Sequence, residues 1–205
     1  LRLNENTRVA SQLTAEERLD LKRLIRWRSF VKQAADGLGF EQGRTYAFKR
    51  PRNEVSRVGT APPPRQNGLS YQLGVGMSAR SQLGTVVYRN HERSSAYVER
   101  MERGLSPVES VFELDVDDRK TQYLAGSLCN ALPLERSDYE RTFGATVDGD
   151  FGELLDRLRR AELIDDDGTR IVLTETGKLV YDRVLLCFYP QRAKHWLYES
   201  TDHHA

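Results

Sequence analysis

Leu73 to Gly84 reads L-G-V-G-M-S-A-R-S-Q-L-G, and the fold is decided by how this stretch is read. Gly74 and Gly76 interrupt an apolar run that otherwise has strand character. Glycine has no side chain to pack and more backbone freedom to lose. Inside a strand pattern it therefore marks a bulge, or a place where another backbone or a ligand comes close. Ser78, Ala79 and Ser81 keep the opening free of bulk, and Arg80 sets one cation within it. The spacing is not the G-x-G-x-x-G dinucleotide fingerprint. Two readings stand at this point, a tight structural turn and a ligand-facing strand.

Working outward, strands are expected on both sides, over Leu69–Val75 and Thr85–Tyr88. Upstream, Arg50–Gly68 carries Pro51, Pro62, Pro63 and Pro64, which disfavour both helix and central strand; a connector or a lid fits that position. Before it, T-Y-A-F-K (Thr45–Lys49) alternates as a short strand. A helix precedes that strand, opened by a Thr14/Glu17 capping box and stopped at Gly37 and Gly39. Its apolar positions are Leu21, Leu24, Ile25, Val31, Ala34, Ala35 and Leu38, at helical spacing. Arg18, Lys22, Arg23, Arg26 and Lys32 form a solvated basic face between them. Helix, loop, strand is half of a βαβ rhythm.

Downstream, Ser94–Gly104 reads as a helix with a serine start and a glycine stop. Val116–Leu132 reads as another, with Asp115, Asp117 and Asp118 opposing the positive end of its dipole and Pro133 beyond it. Ser137 is expected to cap a brief helix through Phe143. Phe151–Leu163 is amphipathic, D-D-D-G (Asp165–Gly168) is a turn, Thr169–Leu173 is a β-branched strand, and Thr174 caps a helix to Phe188. Helix, turn, strand with a helical layer behind is the grammar of a winged helix, shared by DNA readers, subunit-contact modules and structural appendages.

Composition narrows the classes. Lys and Arg number 31 against 30 Asp and Glu, a balance that argues against a chain built to coat phosphate backbones. Asp165–Asp167 occupy the turn that would approach DNA, which argues the same way for Arg157, Arg159 and Arg160. A hydrophobic content of 39% can bury a core. No apolar run approaches membrane-spanning length, and no signal-peptide pattern is visible. Two separated cysteines, Cys129 and Cys187, make no disulfide framework; a reducing cytoplasm and buried, inert thiols are expected. His91, Cys129, Cys187 and His195 lack the close spacing of a zinc site, and no nucleophile stands at a meaningful spacing from a base.

Several motifs in series are more specific than any alone. L-G-V-G-M-S-A-R-S-Q-L-G follows T-Y-A-F-K-R and precedes Tyr88-Arg89-Asn90, M-E-R-G-L-S-P, R-K-T-Q-Y-L-A-G-S-L-C-N-A-L-P-L-E and L-T-E-T-G-K-L-V-Y-D-R-V-L-L-C-F-Y. In this order the chain resembles the oxygen-independent coproporphyrinogen III oxidases and their haem-chaperone relatives, within the radical S-adenosylmethionine (SAM) superfamily. The resemblance implies a partial (β/α) barrel that holds a [4Fe–4S] cluster through a C-x-x-x-C-x-x-C motif. It also implies reductive cleavage of SAM to a 5′-deoxyadenosyl radical and, in the oxidases, oxidative decarboxylation of two propionates. The cysteine motif is absent from this sequence. The expectation is therefore a C-terminal portion, with the cluster-binding N-terminal half of the barrel as its missing partner; a degenerate, silent paralogue is the other possibility.

The resemblance implies that the glycine strand faces the SAM and substrate cavity, which makes Gly74, Gly76, Ser78, Ala79 and Arg80 the candidates for lining it. The Arg80 position is aliphatic in the oxidases and histidine in the chaperones. A guanidinium there suits a carboxylate of SAM or of a substrate propionate, or a structural ion pair. The fold class expected is α/β, the end of a TIM-like radical SAM barrel, followed by an α+β, mostly helical winged-helix-like domain. The domains expected are residues 1–88 and 89–205. The substrate expected is a small molecule of tetrapyrrole type, with SAM and a [4Fe–4S] cluster in the whole enzyme and neither membrane nor nucleic acid as partner. The alternatives are methyl transfer, cyclopropanation or haem handling by the same family, and a non-enzymatic winged-helix module that binds protein or nucleic acid.

Overall fold

The computed structural model describes residues 21–45, 47–51 and 70–202, with side chains excepted at 70 and 198–202. The Thr14/Glu17 box, the proline-rich stretch beyond residue 51 and the His203–His204 pair lie outside the described residues. The chain forms two compact units, Leu1–Asn53 and Glu54–Ala205.

In the first unit, helix α1 (Leu21–Gly37) is followed by strands β1 (Glu41–Arg44) and β2 (Ala47–Lys49). The helix ends where Leu38 and Phe40 N–H groups return to the Ala34 and Ala35 carbonyls. β1 and β2 pair antiparallel, Glu41 opposite Lys49 and Gln42 opposite Phe48. The rhythm is therefore a hairpin rather than half of a βαβ unit. A parallel crossover needs a dozen or more residues, whereas the Gln42 amide here closes the turn onto the Thr45 carbonyl at 3.1 Å. None of α1's expected apolar residues is buried, and Trp27 and Phe30 meet edge to face, both more than half exposed.

The second unit opens with a four-stranded antiparallel sheet: β3 (Ser70–Gln72), β4 (Arg80–Gly84), β5 (Val86–Asn90) and β6 (Val108–Glu113). Helix α2 (Ser94–Glu102) joins β5 to β6. The cross-strand rows Tyr71–Leu83–Val86–Glu113 and Ser81–Tyr88–Val111 share one face; Gln72–Gln82–Val87–Phe112 and Arg80–Arg89–Ser110 share the other. The boundary expected after Tyr88 falls inside β5, which hydrogen-bonds to both neighbours, while the compact units part at Asn53.

Next comes helix α3 (Val116–Leu128), opened by a reciprocal box in which the Asp118 N–H donates to the Asp115 carboxylate and the Asp115 N–H to that of Asp118. It ends earlier than expected: Ala131 takes φ +54° and Leu132 lies half exposed beyond the helix. Strand β7 (Leu134–Glu135), helices α4 (Arg136–Phe143) and α5 (Val147–Arg160), and strands β8 (Ile164–Asp166) and β9 (Arg170–Leu173) follow, with β9 central in an antiparallel sheet of order β7-β9-β8. Ser137 is not the cap of α4; the helix starts directly from β7 with Glu135 at its N-cap. Helix α5 begins four residues before the expected Phe151, because the Thr146 hydroxyl accepts the Gly149 N–H and caps it there. Helices α6 (Glu175–Leu179), α7 (Tyr181–Cys187) and α8 (Gln191–Asp202) close the chain. Thr174 caps α6 as expected, its hydroxyl accepting the Gly177 N–H at 2.9 Å.

The core of this unit lies between α3, α4, α5, α7 and the β7-β9-β8 sheet. Leu124, Leu128, Leu134, Tyr139, Leu155, Ile171 and Val184 are essentially excluded from solvent. Each large side chain buried there contributes about 1.5–3 kcal/mol of hydrophobic stabilisation. Arg136 and Arg159 converge on the Asp166 carboxylate, whose side chain is 3% exposed, each with an Nη2 to Oδ2 distance of 2.6 Å, and tie α4 and α5 to β8. Burial alone would raise the Asp166 carboxyl; the hydrogen bonds from Arg136 and Arg159 outweigh it and hold the group below its ordinary value.

Candidate functional site

The residues from Leu73 to Ala79 connect β3 to β4 as a loop. The strand expected through Val75 ends at Gln72, so the glycines stand in a turn between antiparallel strands rather than within a strand. Two different demands explain them. A Cβ on Gly74 would lie 2.4 Å from the Arg80 carbonyl oxygen, so main chain crosses main chain there. Gly76 has φ +102°, a conformation L side chains avoid, and nothing lies within 4 Å of where its Cβ would be. The absence of a side chain at Gly74 thus serves the loop's own closure, and the open space lies at Gly76.

The loop is held by named bonds. The Gly74 N–H donates to Oγ of the buried Ser81 at 3.0 Å. The Ser78 N–H donates to the His91 carbonyl and the Asn90 N–H to that of Ala79, both at 3.0 Å. The Gly76 carbonyl accepts twice, from the Ala79 N–H at 3.3 Å and from Nδ2 of Asn90 at 2.9 Å. Ser78 itself sits at φ +59°, uncommon outside glycine, and is kept there by this mesh. The loop's apolar side chains turn outward: Val75 is 86% exposed and Leu73 68%.

Arg80 begins β4 directly opposite Arg89, and like charges in that register repel. The Arg89 guanidinium is matched by Glu92 and, at 3.7 Å, by Glu109, which also lies 3.4 Å from Nδ1 of His91. Arg80 has no carboxylate or hydrogen-bond partner for its exposed side chain among the described residues. Of the candidates, the structure therefore brings Gly74, Gly76, Ser78 and Ala79 into one loop and sets Arg80 at its exit. The sequence reading missed Asn90 and Ser81 as the loop's anchors. A polar residue closing the alternating strand V-V-Y-R-N was the available signal for Asn90.

The distal half holds a second polar centre. Asp150 accepts from Lys120 Nζ and from the Tyr139 hydroxyl, each at 2.7 Å. Burial, then the hydrogen bond to Asp150, raises the Tyr139 hydroxyl well above its usual range. A hollow of about 440 Å³ opens beside it, where α5 kinks at Phe151, lined by Asp148, Asp150, Phe151, Glu153, Arg157 and Cys187. None of the expected site residues lines it.

Among the described residues no group of three His, Cys, Asp or Glu could hold a metal ion. Burial, reinforced by the Asp182 carboxylate, pushes the Cys129 thiol up to about 11. Cys187, expected to be buried, is exposed at the end of α7. Two thiols, one at the C-cap of α3 and one at the end of α7, do not fit an iron–sulfur cluster, which takes its protein ligands from several thiolates gathered around one centre. No described helix is long and apolar enough to cross a membrane.

No protein-family model matches the chain. No curated protein sequence matches it either. Among solved structures, it is similar to the coproporphyrinogen III oxidase (HemN) from Escherichia coli, described there as a radical SAM enzyme, with a TM-score of 0.59 and 23% sequence identity. The likeness covers 86% of this chain and 42% of that one, so the chain spans less than half the length of the protein whose fold it shares.

Proposed function

We propose that this chain is the C-terminal portion of a radical SAM oxidoreductase of the oxygen-independent coproporphyrinogen III oxidase kind, working in the cytoplasm on a small molecule of the tetrapyrrole class. The carrying observation is the fold shared over 86% of this chain with 42% of such an enzyme. The motif order from Leu73 to Tyr189 supports the same reading. In it, the Gly74–Arg80 loop and the sheet that carries it contribute to the cavity, and the part from α3 onward forms a winged-helix-like cap. The order α3-β7-α4-α5-β8-β9 with a three-stranded sheet supports the cap assignment.

On this reading SAM and a [4Fe–4S] cluster act in the whole enzyme, and the cluster's ligands lie on other residues than these. What this chain contributes is binding and shielding. The loop offers main-chain groups beside Gly76, Arg80 offers a guanidinium to a carboxylate, and the cap keeps water away from a reactive intermediate. A second reading, another reaction of the same family, is favoured by Arg80 itself, since the position is aliphatic or histidine in the proteins the chain resembles.

The nucleic-acid alternative finds little support in the geometry. Arg159 is committed to Asp148, Asp156 and Asp166, and Asp167 caps its own turn by accepting from the Thr169 and Arg170 N–H groups at 2.9 Å.

The test is the full-length gene product, purified anaerobically and supplied with iron and sulfide. An in-frame cysteine triplet upstream of Leu1, SAM binding and reductive release of 5′-deoxyadenosine are expected. A full-length product that binds no SAM, and that instead binds duplex oligonucleotide with a steep salt dependence, overturns the proposal in favour of the binding module.

A further inference from the structure

Asn90 is a buried polar side chain, 6% exposed, that no role in the fold's core explains. It ends β5, just past a register shift between Arg89 and Asn90 that re-aims it relative to the strand's alternation. Its Nδ2 reaches across the sequence to the Gly76 carbonyl at 2.9 Å, and its N–H donates to the Ala79 carbonyl. One residue thus grips the loop on both sides of its left-handed turn at Gly76 and Ser78.

The planar trans peptide gives this grip a direction. The carbonyl of Gly76 and the N–H of Met77 belong to one peptide unit and point opposite ways. With the carbonyl drawn inward onto Asn90, the Met77 N–H faces away from it, and this N–H has no acceptor among the described residues. The space beside Gly76 is open. We propose that Asn90 is a positioning residue for the small-molecule site: by holding the Gly76 carbonyl it presents the Met77 N–H as a donor to an acceptor atom of the bound cosubstrate. This rests on the proposed function, with SAM as the cosubstrate.

Asn90→Asp keeps the shape and removes the donor, and its ionised carboxylate repels the Gly76 carbonyl. Protonated at low pH, the same side chain donates again. The experiment titrates SAM into the full-length wild-type protein, Asn90→Ala and Asn90→Asp, following dissociation constants and the Met77 amide resonance. Wild type is expected to bind SAM with a shift of the Met77 amide. Both variants are expected to bind about tenfold more weakly at pH 8, with Asn90→Asp, but not Asn90→Ala, recovering as pH falls towards 5. Because a buried carboxylate at position 90 also makes stability pH-dependent, the unfolding of each variant is followed over the same pH range, and affinity is compared only where both are fully folded. A wild type that binds no SAM overturns the functional reading and this inference with it. A wild type that binds, with variants of equal affinity or a Met77 amide that does not respond, overturns the role of Asn90 and leaves the functional reading standing.

Discussion

Gln82 and Gln122 bond to each other reciprocally. Gln82 Nε2 donates to Gln122 Oε1 at 3.0 Å, and Gln122 Nε2 donates to Gln82 Oε1 at 2.6 Å, across forty residues of sequence. Gln82 lies on β4, immediately after the loop and Ser81, and is 8% exposed; Gln122 lies on α3. The pair joins the sheet that carries the loop to the first helix of the segment with the β7-β9-β8 sheet. A third bond, from Gln82 Nε2 to the Gly84 carbonyl at 3.0 Å, fixes which way the amide faces.

Replacing one partner leaves the other amide half satisfied in a buried place. Gln122→Leu or Gln82→Leu is expected to cost about 1–3 kcal/mol in urea unfolding, and the double variant clearly less than the sum. Additive losses would show that the two side chains do not couple the sheet to α3.

The two loop glycines are expected to respond differently. Gly74→Ala sets a methyl 2.4 Å from a main-chain oxygen that cannot rotate away, so the loop must open. Gly76→Ala meets open space and carries backbone strain at φ +102°, about 1–3 kcal/mol. Amide exchange at Ser78 and Ala79, whose N–H groups bond across the loop, is expected to accelerate strongly in the first variant and modestly in the second. Equal acceleration would contradict the close approach at Gly74.

Asp166 makes the stability acid-sensitive. Its carboxyl lies lower in the folded chain than in the unfolded one, so the unfolded state takes up the proton first as pH falls. The contribution is complete above the ordinary carboxylate value of about 4 and is lost as pH drops through the depressed folded value. Asp166→Asn leaves Arg136 and Arg159 facing a neutral amide. With Arg159 a third exposed, the cost near neutral pH is about 2–4 kcal/mol. The stability gap between wild type and variant, measured by denaturant unfolding, is expected to narrow from pH 6 towards pH 3. A gap independent of pH would remove Asp166 from the acid response.

Part of the distal half was legible because its signals are local. An aspartate cluster makes the Asp115/Asp118 box, threonine makes the Thr174 cap, and D-D-D-G makes the turn in which Asp167 accepts from its own following residues. The glycine stretch was legible as an anomaly, but its form was not. Whether Gly74 serves a ligand or a crossing backbone depends on the Arg80 carbonyl, and the loop's shape depends on Asn90, fourteen residues beyond Gly76. Strand β6 was missed because V-E-S-V-F-E does not alternate cleanly; pairing with β5, not burial, makes it a strand. Helix α8 was missed although Pro190 stands just before it and accepts the first return bonds, from Ala193 and Lys194.

The two thiols are expected to separate sharply. At pH 8 a thiol whose value is pushed to about 11 is only about one-thousandth ionised, and the thiolate is the reactive form. Cys187 is exposed. Maleimide or iodoacetamide labelling followed by peptide mapping is expected to modify Cys187 first and Cys129 far more slowly. Equal rates would mean that the packing around α3 is looser than described.

Arg80 offers the most direct reading of what the loop is for. Its side chain is exposed and its residue lies opposite Arg89 across the strands, so removing it relieves a repulsion and breaks no hydrogen bond or ion pair among the described residues. Arg80→Ala is therefore expected to leave the melting temperature unchanged or slightly higher, within about 0.5 kcal/mol. If the guanidinium holds a carboxylate of SAM or of a substrate propionate, the same variant weakens that ligand by about 1–3 kcal/mol, and Arg80→Lys, which keeps the charge and loses the planar fork, falls between. Isothermal titration on the full-length protein, with SAM and with a propionate-bearing porphyrinogen, reads both. Weaker binding at unchanged stability is the signature of a residue kept for its ligand. Unchanged affinity for both molecules would dismiss Arg80 from the site and leave the Asn90-held loop as its only support.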